Sequence, residues 1–470
     1  MQALTAPLME LAEYEEIRQR RKDGAGMIRI AGCATSQKAH MMYALSDGFI
    51  YKVIACSSEA KAKQIYEDYR FLDGDTYLYP AKDLLFYQAD IRGRELARRR
   101  MEVLEAVIKG KPVTVVTTVD AFMDLLLPRE EMAKRTLRIS GEGALDMTEM
   151  AGKLSAIGYE REVQTDAPGQ FAVRGGILDV YPLTEELPVR VELWGDEIDS
   201  IRTFDPESQR SIESLKEAVI GPATEFPEEE GRRTSFLDYF PPEDTILYLD
   251  EPARLLEKGA GVEEEFMEAQ KRRIEHGQEV SEAEASLYPV EQVVKKLNKY
   301  RSIGFSALDT PCREFLVRGA YSLQTRGIQP YNRSFELLTQ DLKRLKRNKS
   351  RVILLSGSRT RAKRLAEDLR DYGLSSFYSE DMERRVQPGE VMTVYGHAAE
   401  GYEYPLLKFT VISETDIFGK VKKRKKRKTY EGRRINSFSE LKPGDYVVHE
   451  NHGLGIYQGI EKIEVDKIAK

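Results

Sequence analysis

Between residues 159 and 227 the chain reads as short strands broken by glycine and proline, and no other stretch limits the fold as strongly. Its centre is PGQFAVRGGILDVYP (168–182), followed by VRVELWGDEIDSIRTFDPESQR (189–210). In the second run Val189, Val191 and Leu193 point one way while Arg190, Glu192 and Trp194 point the other, the period-2 alternation of a half-buried strand. One face is therefore core, and the opposite face is free for contacts.

The flanks follow a different rule. Strand-like runs at 28–31, 52–55 and 113–117 alternate with helical patterns, which predicts α/β architecture on a parallel sheet. After the second run, Ala62, Ile65, Tyr66 and Tyr69 make one apolar stripe, with Lys61, Lys63, Glu67 and Asp68 expected in solvent. Strand and helix return at 246–249 and 252–258, so the β-rich unit reads as an insertion in the α/β domain. An acidic helical stretch covers 261–284. A second small α/β unit follows, with a strand at 352–355, a helix burying Ala362, Leu365, Ala366 and Leu369, and strands at 391–395 and 409–412. A chain of 470 residues is too long for one core and predicts three or four domains at roughly 100–200 residues each. The expected division is 1–127 and 214–330 as the two halves of the first α/β domain, 128–213 inserted, 331–419 the small α/β domain, 420–440 a basic linker, and 441–470 the opening of a β domain cut short.

Composition narrows the class. Charged residues make up 32% and hydrophobic ones 41%, and no apolar run reaches the ~20 residues of a membrane span, which predicts a globular, cytoplasmic protein with no membrane role. Cys33, Cys56 and Cys312 lie far apart without a CxxC pair, so they are expected as core thiols rather than as a disulfide or zinc site. The net charge of -6 is unevenly spread. Glutamates cluster at 228–230, 263–265 and 279–284, while KVKKRKKRK (420–428) is the densest basic run. Lys422, Lys423, Arg424, Lys425, Lys426 and Arg427 suit salt-sensitive contact with DNA phosphates, and equally suit a self-repelling, solvated tether.

The segment GCATSQKA (32–39) stands where a phosphate loop belongs, after a buried strand and before a helix. A working loop needs glycine before the lysine and a hydroxyl after it. Gln37 and Ala39 replace them, so Gly32 and Lys38 belong to a degenerate site kept as scaffold, and no ATP hydrolysis is expected there. Elsewhere, His449 and His452 lack the further ligands a metal site needs and read as a turn, and Glu414, Thr415 and Asp416 follow a strand with no functioning phosphate loop in their own domain. Arg161, Arg174, Arg190 and Glu192 lie on or beside the short strands. Arginine forks suit partner carboxylates, although Arg190 and Glu192 fit plain cross-strand surface pairs with residues of neighbouring strands as well.

With these pieces in order, the chain resembles the family of bacterial transcription-repair coupling factors. The resemblance is carried by residues 168–210, similar to the domain by which UvrB-type proteins dock on UvrA, by ETDIFG (414–419), and by GDYVVHENHGLGIY (444–457). It implies a UvrB-like α/β domain with a ruined phosphate loop, an inserted α+β UvrA-docking domain, a second small α/β domain, and the start of a Tudor/CarD-like RNA-polymerase-interacting domain. It also implies UvrA contact through Arg161, Arg174, Arg190 and Glu192, with Ala172 where UvrB carries a further arginine. RNA polymerase, through its beta subunit, is implied as the partner of an edge carrying Tyr457, Ile460 and Ile463, which read equally as core. From 84 to 107 the chain leaves no room for the aromatic hairpin that UvrB uses to hold damaged DNA. In the complete family protein an ATP- and Mg-dependent translocase on double-stranded DNA displaces stalled polymerase, and the resemblance implies that the present stretch keeps the docking surface masked until polymerase has been engaged. This stretch is expected to bind rather than catalyse, with no cofactor. Two alternatives remain at this level: a nucleotide-dependent repair helicase subunit, which requires ATP near Lys38, and a nucleic-acid-binding module driven by the basic run.

Overall fold

The computed structural model describes residues 1–82, 93–225, 233–275 and 287–419, and short strands within 446–469. Seven parallel strands form the main sheet, in the order Val317–Ser322, Gly26–Ala31, Arg301–Ser306, Thr245–Asp250, Tyr51–Cys56, Val113–Thr118, Thr76–Tyr79. Every residue of Val113–Thr118 and Thr245–Asp250 is buried, as expected for central strands covered on both faces. Separate apolar clusters fill the two sides of the sheet.

The chain leaves this sheet after Thr118 and re-enters it at Thr245. In between stands a six-stranded sheet ordered Ser211–Ser214, Glu197–Phe204, Val189–Trp194, Ile177–Tyr181, Gln170–Arg174, Glu160–Arg161. Neighbours are antiparallel apart from the last pair. The alternation decides its faces: Phe171, Leu178, Val180, Val189, Val191 and Ile201 turn inward onto Met150 and Leu154. Those two lie on the helix Met147–Ala156, whose first turn is capped by the Asp146 carboxylate accepting N–H bonds from Thr148 and Glu149 at 2.8 and 3.0 Å. Leu137–Ser140 pairs with Glu217–Ile220 in a separate two-stranded sheet whose Ile139, Ala218 and Ile220 join the same core, so this unit extends past residue 213.

The two connections between host and insertion run side by side, Leu125–Leu126 pairing with Thr234–Ser235. Beside them lies a buried ion cluster. Arg100 donates to Glu225 Oε1 and Oε2 at 2.5 and 3.0 Å, to Asp124 Oδ2 at 2.7 Å and to the Pro80 carbonyl at 2.7 Å, and its guanidinium sits 4.3 Å from the Tyr79 ring centroid. Lys82 adds a second cation 2.9 Å from Glu225. Burial alone would raise the Glu225 pKa, but Arg100 and Lys82 outweigh it and hold the carboxyl at about 2. Asp124 moves the other way: burial pushes its pKa up by more than Arg100 and Lys82 pull it down, and its Oδ1 is buried without a hydrogen-bond partner.

From Arg326 the chain builds a second six-stranded sheet, ordered Arg326–Gly327, Tyr402–Tyr404, Phe409–Ile412, Arg351–Ser356, Val391–Tyr395, Phe377–Tyr378. Its helix Arg359–Asp371 buries Ala362, Leu365, Ala366 and Leu369, as the spacing predicts. The two α/β units share one apolar cluster, in which Leu4, Leu8 and Met41 meet Leu355, Phe409 and Val411. Asp68 corrects the sequence reading. It is buried rather than solvated, and its Oδ1 accepts the Ala399 N–H at 2.7 Å across the seam. Burial raises its pKa to about 7.

Of the acidic stretch, residues 276–284 lie outside the described residues, and the rest is placed differently. One continuous helix, Pro252–Glu275, replaces the two pieces expected, and Gly259 within it packs so closely that an added Cβ would lie 2.6 Å from Val290 Cγ2. A close approach, not a helix end, explains that glycine.

Candidate functional sites: a docking face and a filled phosphate loop

The outward face of the inserted sheet is organised by one carboxylate. Asp179 is fully buried, and its strand neighbours are Arg190 and Ala172. Arg190 donates to Asp179 Oδ1 and Oδ2 at 2.6 and 2.8 Å and to Gln209 Oε1 at 2.7 Å, while its Cζ lies 4.3 Å from the Phe204 ring centroid. Arg174 donates to the same Asp179 Oδ2 at 2.5 Å and keeps its side chain 42% exposed, against 12% for Arg190. The two arginines thus differ in availability. Arg190 has its fork engaged inside the protein and acts as a brace, whereas Arg174 presents a cation to solvent from a fixed position.

Glu192 pairs with Arg202 and accepts from Ser200 Oγ at 3.3 Å, which matches the cross-strand pairing that the sequence left open. Arg161 is not brought to this group. Its register partner is Phe171, a core residue, so Arg161 lies on the other face of an edge strand, exposed. Asp179, Phe204, Gln209 and Arg202 complete the face and were missed in sequence. A signal existed for Asp179, since an acidic residue inside the apolar run ILDVY invites a basic partner.

The degenerate phosphate loop is filled from within. Lys38 meets an anion, but the anion is the protein's own: Nζ donates to Asp250 Oδ1 at 2.6 Å and Glu251 Oε1 at 2.7 Å. Burial works against the charge on Lys38, and the two carboxylates outweigh it and raise its pKa. Gln37 is fully buried, with its Nε2 donating to the Tyr404 hydroxyl at 2.8 Å. His40 bonds the same hydroxyl at 3.0 Å and the Leu4 carbonyl at 3.0 Å, and burial lowers its pKa to about 4. Gly32, at φ +81°, lies against Leu323, whose carbonyl oxygen would be 2.2 Å from an added Cβ. The adjoining cavity, lined by Leu11, Leu323 and Tyr404 among others, is about 60 Å³, far below the ~300–1,000 Å³ of a small-molecule site. These residues do not fit a nucleotide triphosphate. A thermal melt with millimolar MgATP is therefore expected to leave the transition where it was, and a clear upward shift would restore the helicase reading.

Glu414 is likewise spent internally, accepting the Gly357 N–H and pairing with Arg361, while Asp416 closes a capping box with Ser413. Among the described residues no group of three or more His, Cys, Asp or Glu could hold a metal, and no helix is long and apolar enough to cross a membrane. Tyr446–His449 pairs with Gly453–Ile456 in a hairpin, whereas His452 lies outside the described residues. Outside them too are Tyr457, Ile460 and Ile463, the basic residues Lys422 to Arg427, and the first part of the 84–107 stretch.

Two family models match. The UvrB interaction domain covers residues 137–226, and the CarD-like/TRCF RID domain covers 441–470. Among curated relatives, a transcription-repair-coupling factor of Bacillus subtilis is 30% identical over 87% of this chain, and one of Staphylococcus aureus is 25% identical over 100% of it. The chain spans 40% and 45% of those two proteins, less than half of either. The pairing of these two domains in one chain, with relatives aligned along nearly its whole length, shows that it belongs to the transcription-repair-coupling factor family.

Proposed function

We propose that this chain recruits UvrA to sites of stalled transcription, through the outward face of its inserted sheet. The observation that carries the reading is the half-exposed Arg174, held by buried Asp179 inside the segment that matches the UvrB interaction domain. A preset cation loses little side-chain freedom on binding and fits a partner carboxylate. Because Arg190 braces Asp179, the informative variant is Arg174→Ala. Titration with purified UvrA is expected to show affinity lowered about tenfold or more, the worth of a charge-assisted hydrogen bond. Parent-like affinity would remove Arg174, and with it this face, from the docking reading.

Residues 441–470, matching the CarD-like/TRCF RID domain, carry the proposed contact with RNA polymerase, with Tyr457, Ile460 and Ile463 as its apolar residues and the beta subunit as its partner. Lys422 to Arg427 serve as a tether that also meets DNA phosphates. ATP and Mg act in the translocase of the complete protein, which removes stalled polymerase, while this stretch itself works by binding.

A further inference from the structure

We propose that Asp68 is a proton-operated latch on the seam between the two α/β units: carrying its proton it lies buried under the 396–400 loop and keeps the seam shut, and without the proton it works to open it. The latch does not depend on the docking reading above.

Both units build it. Asp68 stands on the helix Glu59–Leu72 of the first unit and is 4% exposed. Two successive amides of the second unit point at the first: the Ala399 N–H donates to Asp68 Oδ1 at 2.7 Å, and the Glu400 N–H donates to Ser36 Oγ at 3.1 Å. The other carboxylate oxygen, Oδ2, is buried without a hydrogen-bond partner. Close by on the same helix, Phe71 meets Tyr395 edge to face with ring centroids 6.3 Å apart, and Gly396 comes so near that an added Cβ would lie 2.8 Å from Phe71 Cζ. A carboxylate so enclosed, with one oxygen satisfied and the other not, is a poor host for a negative charge and a good one for a proton.

The charges around Asp68 favour the same state. Glu67 on its own helix and Glu400 on the loop both oppose its ionisation, and the buried Tyr402 hydroxyl faces it from the second unit. His397, with Nε2 at 3.7 Å from Asp68 Oδ1, offers a cation when protonated, but its side chain is 47% exposed and water screens much of that charge. Burial outweighs the hydrogen bonds and moves the Asp68 pKa from 3.8 to about 7. Elsewhere on the seam, Gln37 and His40 hold the Tyr404 hydroxyl, and burial keeps His40 neutral, its pKa lowered to about 4. Asp68 is thus the buried seam group that changes charge near neutral pH. Because its pKa is raised on closure, the closed seam holds a proton that the open one gives up between about pH 4 and pH 7. Closure therefore weakens as pH rises through that window and levels off above it.

The test uses the full chain and hydrogen exchange read by mass spectrometry, each rate taken relative to the intrinsic rate at the same pH. Between about pH 6 and pH 8, protection of peptides covering 396–402 is expected to fall about tenfold in the parent. It should stay level in Asp68→Asn, which keeps the shape of the protonated carboxyl without the charge. Peptides from the inserted sheet, 189–204, should hold level in both proteins. Equal pH dependence in the parent and Asp68→Asn would overturn the latch. So, with no variant needed, would a parent in which 396–402 hold level or lose protection only in step with 189–204.

Discussion

Arg100→Met is expected to lower the unfolding free energy by about 3–5 kcal/mol, the usual cost of stripping one partner from a buried ion cluster. The substitution leaves Glu225 and Asp124 at the junction of host and insertion, both almost inaccessible to water, with only Lys82 to compensate one of them. Equilibrium urea unfolding would show the midpoint falling. A loss under about 1 kcal/mol would mean that the cluster relaxes or hydrates instead. Replacing the carboxylates together with the arginine, as Arg100→Met, Asp124→Asn and Glu225→Gln, is expected to recover much of the stability, because the penalty belongs to unpaired charge rather than to lost shape.

The same cluster sets an acid limb. Glu225 titrates near 2 when folded, against an ordinary value of 4.5. A depressed folded pKa contributes stability that is fully present above the unfolded value and is lost as pH falls through the folded one. Between about pH 4.5 and pH 2, parent stability should therefore decline by up to about 3 kcal/mol more than that of Glu225→Gln. Parallel curves for the two proteins would rule this contribution out.

Asp179→Ala carries the second large effect, on function. Arg174 and Arg190 both take their positions from this carboxylate, and Asp179 is fully enclosed. Removing it frees Arg174 and leaves Arg190 half-desolvated, with Gln209 as its remaining hydrogen-bond partner of that set. UvrA affinity is expected to drop further than in Arg174→Ala, because both guanidiniums lose their set geometry, and about 2–4 kcal/mol of stability should go with it. A titration below the variant's melting temperature separates the two losses. Unchanged affinity in a folded Asp179→Ala protein would show that preset arginines are not what the partner reads.

Local periodicity made much of this architecture legible. The stripe of Ala362, Leu365, Ala366 and Leu369 and the alternation at 189–194 each record a surface that one element must bury, and such information is written within a few residues. Long-range pairing is not written there. Asp68 follows the helical period of a solvated residue, and only the Ala399 N–H, contributed by a loop of the other α/β unit, gives it a buried role. Arg161 and Arg174 look equivalent as exposed arginines on short strands, yet the parallel pairing of Glu160–Arg161 with Gln170–Arg174 puts them on opposite faces. Lys38 was legible as a lysine without a working phosphate loop. Its partners, Asp250 and Glu251, lie on the far side of the insertion and could not be read from the loop.

The strand order of the main sheet carries a consequence for synthesis. Gly26–Ala31 is the first strand of this sheet in chain order, but its neighbours are Arg301–Ser306 and Val317–Ser322, and Thr245–Asp250 separates Arg301–Ser306 from Tyr51–Cys56. At about 5–20 residues per second, the first strand waits roughly 10–50 s for a partner. The inserted sheet needs only segments between residues 137 and 220 and has no such delay. On the nascent chain the guest is complete before its host, and the apolar edges of the unfinished host are what a chaperone would have to shield.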